Sequence, residues 1–191
     1  MQSTKYYLEK MNVTNINIKV LYNYLEQEFG RGELFPRFVI RRNFKKSIWE
    51  AVYLTDGQEK YGYAIYQKAP GFKGVFIAYL AILPKYQSKG LGSELIHQLN
   101  ALFPDGILLE VEDPDAAKDE KDQTTRIRRI RFYERNGLAL NPNMKVNTFF
   151  VPFRMMDNID GTDTYDISLY QKLYNRILRL PLGSIFIKEN R

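Results

Sequence analysis

The chain has 191 residues, of which 45% are apolar or aromatic, so it is long enough to bury a substantial core and is not mostly disordered. The absence of cysteine excludes a disulfide framework and a thiol nucleophile, and the single histidine, His97, leaves little material for a zinc site or a Ser–His–Asp triad. The net charge of +6 predicts an anionic ligand or partner, which could be a nucleotide-like cofactor, a nucleic acid or a membrane surface.

Targeting signals are not evident. Every uncharged apolar run is far shorter than a membrane span, and residues 1–12 lack the basic-then-apolar order of a signal peptide. The chain shows no internal repeat and no linker-like segment. We therefore expect one domain over residues 1–191, cytoplasmic and without a membrane partner.

The N-terminal segment is predicted to contain a strand and two helices. Lys5–Met11 has weak strand character, Asn15 caps a helix that ends near Phe29, and a second helix begins at Pro36. Helical spacing predicts a core face on the first helix that consists of Ile16, Val20, Leu21, Tyr24 and Leu25.

Three strands then follow in antiparallel succession. Trp49–Thr55 and Tyr61–Gln67 are joined by Asp56-Gly57, a pair typical of hairpin turns. All nine residues of Val75–Leu83 are apolar or aromatic, as expected for a strand buried on both faces. Three antiparallel strands in a row argue against a doubly wound dinucleotide-binding fold.

A glycine-bearing turn follows Pro84 and leads into an amphipathic helix that extends to Phe103. The turn is Gln87-Ser88-Lys89-Gly90-Leu91-Gly92, and the apolar face of the helix comprises Leu91, Leu95, Ile96, Leu99 and Leu102. Backbone N–H groups and the helix dipole at such a turn favour a phosphate, although an ordinary structural turn is the alternative. The turn is not a Rossmann fingerprint, since Leu95 replaces the third glycine, and it lacks the Gly-Lys-Ser/Thr of a P-loop.

The next strand is predicted over Ile107–Glu112, parallel to Val75–Leu83 because a helix connects the two. The charged residues 113–122 have no apolar pattern and are predicted to form a loop. Thr124 or Thr125 then caps a helix that extends to Asn136. Its core face is predicted to include Ile127, Ile130, Phe132 and Tyr133.

The C-terminal segment is predicted to add two strands and a helix. Asn147–Met155 has strand character, and an acidic loop, Asp157–Tyr165, follows it without matching the calcium-binding EF-hand pattern. Asp166 caps a helix whose core face comprises Ile167, Tyr170, Leu173, Tyr174 and Ile177. Ser184–Lys188 closes the chain as a strand, so the elements together predict a mixed sheet flanked by helices.

Two motifs in this order resemble the GCN5-related N-acetyltransferases: the apolar strand with QSKGLG and a helix, and Phe-Tyr-Glu-Arg-Asn-Gly at residues 132–137. Their spacing and the intervening strand with glutamates are similar to the family over Trp49–Gly137. The resemblance implies an α/β (α+β) fold with a central, mixed, mostly antiparallel sheet of six to seven strands. In that fold helices flank the sheet and its central strands splay apart.

The resemblance also implies acetyl-CoA as the ligand of the glycine turn. In the family this turn holds the pyrophosphate mainly through backbone amides, which here belong to Gln87, Ser88, Lys89, Gly90, Leu91, Gly92 and Ser93. It further implies that Ile82 and Leu83 pair through their backbones with the pantetheine arm, as an added strand does.

Tyr133 corresponds to the family's general acid, which protonates the departing coenzyme A thiolate. A phenol with a pKa of about 10 is protonated at neutral pH and can donate to a thiolate of comparable basicity. The alternative is that Tyr133 is only a core residue of its helix.

Glu110 and Glu112 are candidates for the base that removes the proton of the attacking amine. They lie two residues apart on the predicted strand, so their side chains share a face. Two neighbouring carboxylates raise the pKa of one of them, which suits a general base. The alternative is that one or both are solvated or pair with arginines of the following helix.

That helix departs from the family at Arg126 and Arg129, where many members carry Asn and Ala. Its basic residues are predicted to form mostly a solvated face, with contact to coenzyme A phosphates or an acidic substrate as the alternative; they are Arg126, Arg128, Arg129, Arg131 and Arg135. His97 is predicted to be a surface residue.

The function predicted from the resemblance is direct transfer of an acetyl group from acetyl-CoA to a primary amine, without a metal. The acceptor is a small molecule, a peptide or a protein, and a homodimer is expected only because dimers are common in the family. One alternative is a basic nucleic-acid-binding module that uses Arg41, Arg42, Lys45, Lys46 and the arginine-rich helix, although no nucleic-acid partner is expected. The other is a protein of this fold that binds acyl-CoA without catalysis.

Overall fold

The computed structural model describes residues 5–29, 34–159, 166–179 and 187–189, with the backbone alone for Asn143. The chain divides into two compact units. The first comprises Met1–Gln67 and Ala78–Leu102, and the second comprises Lys68–Ile77 and Phe103–Arg191. No helix formed by the described residues is long and apolar enough to cross a membrane.

The first unit combines strands with three helices. Its strands are β1 (Tyr7–Lys10), β2 (Glu50–Thr55), β3 (Lys60–Gln67) and the end of β4 (Val75–Ile82), adjacent in that order. Its helices are α1 (Asn15–Glu28), α2 (Arg37–Lys45) and α3 (Leu91–Leu102). β1 and β2 are antiparallel, as are β2 and β3, which confirms the predicted hairpin.

The prediction of the buried face of α1 is confirmed for Leu21 and Leu25 and wrong for Ile16 and Val20. Ile18, Leu21 and Leu25 are buried, whereas Ile16 is 75% exposed and Val20 39% exposed. Residues three and four positions apart share a helix face, so Ile18, Leu21 and Leu25 form the face that packs on the core. Ile16 and Val20 lie on a neighbouring face that is exposed. The Thr14 hydroxyl, rather than the predicted Asn15, caps this helix by accepting from the Asn17 amide.

The second unit contains the beginning of β4 and all later elements. Its strands lie in the order β4, β5 (Ile107–Glu112), β7 (Val151–Asp157), β6 (Ala139–Thr148) and β8 (Ile187–Glu189), and its helices are α4 (Glu120–Arg135) and α5 (Ile167–Leu178). β4 and β5 are parallel, as predicted, and the β5–β7, β6–β7 and β6–β8 pairs are antiparallel.

The predicted strand Asn147–Met155 is wrong because a hairpin turn lies inside it. β6 ends at Thr148 and β7 begins at Val151, and the two turn residues, Phe149 and Phe150, have φ of 50° and 71°. Left-handed backbone favours Gly, Asn or Asp, so two phenylalanines gave no turn signal in the sequence. The described residues consequently form eight strands rather than the six to seven expected.

α4 also begins earlier than predicted. Asp119, rather than Thr124 or Thr125, caps it by accepting from the Asp122 amide at 2.8 Å. The first turn is polar, so hydrophobic spacing could not reveal it. The prediction that Asp166 caps α5 is confirmed, while residues 160–165 of the acidic loop and 184–186 of the last strand lie outside the described residues. The predicted mixed, mostly antiparallel α/β architecture is confirmed.

Candidate functional site

A tight turn follows β4 in the first unit. One 3-10 turn, Pro84–Tyr86, comes first. Ser88 and Gly90 then have left-handed backbones, with φ of 63° and 77°, and α3 begins at Leu91. Glycine takes this conformation without the steric cost that other residues incur. The predicted glycine turn is therefore present immediately before a helix N-terminus.

The first turn of α3 presents backbone N–H groups at this position. The amides of Ser93 and Glu94 both donate to the Gly90 carbonyl, at 3.1 and 3.2 Å. In a regular helix the amides before them, here those of Leu91 and Gly92, have no intrahelical acceptor. A Cβ on Gly90 would meet no heavy atom of the described residues within 4 Å, so the turn is open there. Open amides at a helix N-terminus can bind an anion.

Gln87 braces the turn through its side chain. Its Nε2 donates to the Ile82 carbonyl at 3.1 Å and to Glu28 Oε2 at 3.1 Å. Burial raises the pKa of Glu28, and the hydrogen bond from Gln87 partly lowers it. The side chain thus ties the end of β4 to the last turn of α1, and the Gln87 amide donates to the Pro84 carbonyl at 3.3 Å, so both groups are engaged within the chain.

Two lysines flank the turn and differ in their partners. Lys85 Nζ lies 3.2 Å from Glu59 Oε2, and Glu59 also accepts from the Tyr86 hydroxyl at 2.6 Å. Lys89 Nζ lies 5.6 Å from the centre of the Tyr86 ring and has no ion pair within the described part of the chain. Lys89 is therefore the cation of the turn that is available to a phosphate.

The backbone groups of Leu83 are engaged within the first unit. Its N–H donates to the Tyr61 carbonyl at 2.9 Å, and its carbonyl accepts from the Tyr86 amide at 2.8 Å. Successive residues of a strand present their backbone groups to opposite edges. Ile82 and Leu83 are the two residues predicted to pair with a pantetheine arm. The Leu83 N–H points to β3, so the backbone groups of Ile82 point to the opposite edge of β4.

Glu110, on β5 in the second unit, has one bonded and one unbonded carboxyl oxygen. The Tyr174 hydroxyl donates to Oε1 at 2.9 Å. Oε2 is buried and has no hydrogen-bond partner among the residues that the structure describes. Burial raises the pKa of Glu110 to about 7, and the hydrogen bond from Tyr174 lowers it in part. A carboxyl group that titrates near neutrality, with one free oxygen, is suited to accept a proton.

Glu112 has a different environment. Its carboxylate lies 2.7 Å from Arg129 Nη1 and 3.5 Å from Arg126 Nη2, so it pairs with arginines of the following helix, as the alternative proposed. The expected rise in the pKa of one of the two carboxylates is present at Glu110, but the charge of Glu112 is not its cause. Burial is the main cause of the shift at Glu110, because the charge of Glu112 is compensated by two guanidinium groups.

Tyr133 lies in the last turn of α4 and is 9% exposed. Its ring is 5.2 Å from that of Phe132, at an angle of 64°. Burial raises the pKa of the phenol above its usual value, and the nearby charge of Arg129 lowers it in part. The hydroxyl is therefore protonated at neutral pH, as a proton donor must be.

The arginines of α4 are not all solvated. Arg126 is 11% exposed, lies 3.0 Å from Asp122 and donates to the Asp113 carbonyl at 2.8 Å, so the prediction of a solvated side chain is wrong for it. The prediction is confirmed for the exposed residues Arg128, Arg129, Arg131 and Arg135. Arg126 is buried because its guanidinium group binds the Asp122 carboxylate and the Asp113 carbonyl.

Tyr174 is the site residue that sequence reasoning missed. It was assigned to the core face of α5, together with Tyr170 one helical turn earlier, and both are buried. A buried tyrosine usually has a hydrogen-bond partner for its hydroxyl, and this could have directed attention to a nearby carboxylate. The contact with Glu110 itself depends on how α5 packs.

The remaining predictions concern ions and the surface. His97 is exposed, as predicted. The described residues contain no group of three or more acidic or His side chains arranged for a metal ion.

The family model of the acetyltransferase (GNAT) domain matches residues 48–137. This interval includes β2 to α4 and therefore both the glycine turn and Tyr133. A comparison with curated proteins found no match.

Solved structures share the fold. A protein from Bacteroides thetaiotaomicron assigned to the GNAT family is 19% identical, with 94% of this chain and 97% of that chain covered and a TM-score of 0.70. AAC(6′)-Ib in complex with paromomycin and acetyl-CoA is 17% identical, with 83% and 96% covered and a TM-score of 0.60. Naa50 of Arabidopsis thaliana, in complex with the bisubstrate analogue CoA-Ac-MVNAL, is 15% identical, with 78% and 97% covered and a TM-score of 0.53.

These identities establish a shared fold rather than a shared substrate. The domain match, in contrast, covers the two motifs on which the resemblance depends. Residues 48–137 match the acetyltransferase (GNAT) domain, and the chain has the GNAT fold.

Proposed function

We propose that the protein transfers the acetyl group of acetyl-CoA directly to a primary amine. The observation that carries this proposal is the open turn at Gly90, which places helix N-terminal amides beside an uncommitted lysine inside the matched acetyltransferase domain. Acetyl-CoA and a CoA conjugate are present in two of the similar structures, one with an aminoglycoside and one with a peptide. Because those acceptors differ so much, we assign the acceptor here only as a primary amine of a small molecule, a peptide or a protein.

The first unit would supply the binding groups for the cofactor. The pyrophosphate would accept hydrogen bonds from the open backbone amides of the turn, among them those of Leu91 and Gly92, and Lys89 Nζ would add a positive charge. The backbone of Ile82 pairs with the pantetheine arm. Leu83 supports this edge indirectly, through its bonds with Tyr61 and Tyr86.

Tyr133 and Glu110 would be the acid and the base. An amine is mostly protonated at neutral pH, and Glu110 Oε2 removes its proton. The amine nitrogen then forms a bond with the thioester carbonyl carbon, whose oxygen is polarised by backbone amides. The carbon–sulfur bond breaks, the Tyr133 hydroxyl protonates the thiolate, and the acylated nitrogen releases its second proton to solvent. Solvent then takes the proton from Glu110 and returns one to Tyr133. Glu112 has no step in this scheme, because its carboxylate is bound by Arg126 and Arg129.

Binding and turnover test the proposal separately. Isothermal titration calorimetry with acetyl-CoA measures the first, and release of the coenzyme A thiol in the presence of a panel of amines measures the second. Saturable binding with amine-dependent thiol release is the expected result. Binding without turnover of any amine would favour a non-catalytic acyl-CoA-binding protein, whereas no binding, together with strongly salt-dependent binding of nucleic acid, would favour the basic module.

Replacing Tyr133 by phenylalanine is expected to lower kcat by about a hundredfold, within the range that a general acid contributes. The KM for acetyl-CoA and the melting temperature should change little, because the ring and its contact with Phe132 remain. Steady-state kinetics with an amine identified in the panel provide the measurement. Tyr7→Phe, on the edge strand β1, is the matched control, and an equal rate for both variants would remove Tyr133 as the acid.

A further inference from the structure

Three buried hydroxyl groups form a continuous chain that ends on Glu110. Thr148 Oγ1 lies 3.1 Å from the Tyr170 hydroxyl. The Tyr170 hydroxyl donates to the Tyr174 hydroxyl at 3.4 Å, and Tyr174 donates to Glu110 Oε1 at 2.9 Å. All four residues belong to the second unit, and the two tyrosines are one helical turn apart on α5.

Aromatic packing holds the two tyrosine rings. The Phe76 ring lies 5.9 Å from that of Tyr170, at 80°, and 6.4 Å from that of Tyr174. Phe149, in the hairpin turn, packs against Tyr174 at 6.0 Å. Ring contacts of this kind restrict the side-chain rotamers, so the Tyr174 hydroxyl is held toward the carboxylate.

The direction of donation along this chain favours an ionised Glu110. A carboxylate only accepts hydrogen bonds, so Tyr174 must donate to it, and the Tyr174 oxygen accepts from the Tyr170 hydroxyl. Donors that follow one another in a low-dielectric interior polarise each other toward the charge at the end. The step between the two tyrosines, at 3.4 Å, is long for an O–H···O bond and is the weakest of the three.

We propose that Tyr174 is a positioning residue that holds Oε1 of Glu110 and leaves Oε2 as the oxygen that accepts the proton of the amine. Tyr170 supports Tyr174 by donating a hydrogen bond to its hydroxyl, and Thr148 bonds in turn with the Tyr170 hydroxyl. This inference rests on the proposed function of Glu110. It gives a role to the C-terminal helix, which lies outside the segment matched by the family model.

The charges around Glu110 do not account for its behaviour. Among the charged groups on the elements packed around β5 are Glu112 and Asp113 at its end, Arg126 and Arg129 on α4, Arg154 and Asp157 on β7, and Lys172 and Arg176 on α5. Arg126 and Arg129 bind Glu112, and Arg176 donates to the Lys68 carbonyl. Burial and the Tyr174 hydroxyl are the causes of the pKa shift at Glu110.

The test is the titration of Glu110 in Tyr174→Phe. The side-chain carboxyl carbon is followed by NMR in protein labelled with carbon-13 at that position of glutamate, and Glu110→Gln assigns the signal. Loss of a donor destabilises the ionised form, so the pKa of Glu110 is expected to rise further above about 7. Tyr170→Phe, which leaves the direct contact intact, should produce a smaller rise, and Thr148→Val the smallest.

Turnover gives a second readout. In Tyr174→Phe the acidic limb of the kcat profile should move to higher pH, and kcat at pH 7 should fall about tenfold, part of what a general base contributes. The KM for acetyl-CoA should be unchanged. An unchanged Glu110 pKa in an active Tyr174→Phe variant would overturn this inference alone, and so would a larger shift in Tyr170→Phe. A wild-type protein that acetylates no amine would overturn the proposed function instead, and with it the role of Tyr174.

Discussion

Replacing Gly90 by aspartate is expected to weaken acetyl-CoA binding at least a hundredfold. The turn is open at this residue, so the new carboxylate would lie close to the position at which the pyrophosphate is proposed to bind. Two like charges about 4–5 Å apart near a protein surface repel each other by about 3 kcal/mol, which corresponds to more than a hundredfold in Kd. Calorimetric titration of acetyl-CoA at constant ionic strength provides the measurement.

Gly90→Asn is the matched control for this prediction. Asparagine has nearly the shape of aspartate and tolerates the left-handed backbone that Gly90 adopts, with φ of 77°. Both variants therefore share the backbone strain and the added volume, and they differ in charge. We expect Gly90→Asn to weaken binding tenfold or less. Equal Kd values for the two variants would exclude the pyrophosphate from this turn.

Replacing Glu110 by glutamine is expected to reduce kcat by about a thousandfold, since a positioned general base contributes between about a hundredfold and ten-thousandfold. The Kd for acetyl-CoA should stay the same, because Glu110 is not one of the proposed binding groups. Glu112→Gln makes the same replacement on the same face of β5, but at a carboxylate that two arginines already bind. The kcat of that variant should fall a few-fold at most. A larger fall in kcat for Glu112→Gln than for Glu110→Gln would reverse the assignment of the base.

Glu110→Gln also changes stability, in a way that needs no acceptor. The pKa of Glu110 is about 7 in the folded protein and 4.5 for the ordinary side chain, so between these pH values the unfolded chain has released a proton that the folded chain keeps. The free energy of unfolding of the wild type should therefore fall as pH rises, by about 3 kcal/mol in total. The glutamine variant lacks this loss and should gain relative stability from pH 4 to pH 8. Urea unfolding at pH 4 and pH 8 measures the free energy of unfolding of both proteins. An equal change between these pH values in the wild type and in Glu110→Gln would contradict the prediction.

Local patterns predicted most of the elements that form the two proposed sites. The run Val75–Leu83, the glycines of the turn and the helical spacing that follows predicted β4 and α3. Alternation along β5 placed Glu110 and Glu112 on one face, and Asp166 predicted the start of α5. Each of these depends on contacts between residues close in sequence, for which periodicity and capping are sufficient.

The failures have a common physical cause. The hairpin at Phe149 and Phe150 requires left-handed backbone that these residues do not favour, so the pairing of β6 with β7 imposes the turn. The burial of Arg126 likewise depends on Glu112, Asp122 and Asp113 converging on it. Neither arrangement has a signature within one short window of sequence.

The sequence by itself indicated the resemblance to the GNAT family, the glycine turn and the two glutamates proposed as candidates for the base. Only the tertiary structure distinguished between those glutamates, because they have the same side chain and the same strand face. Packing desolvates the Glu110 carboxyl group beside Tyr174, which raises its pKa toward neutrality, and places Glu112 in ion pairs with two guanidinium groups. Desolvation and ion pairing arise from residues distant in the chain, and for that reason they appear only when the chain is folded.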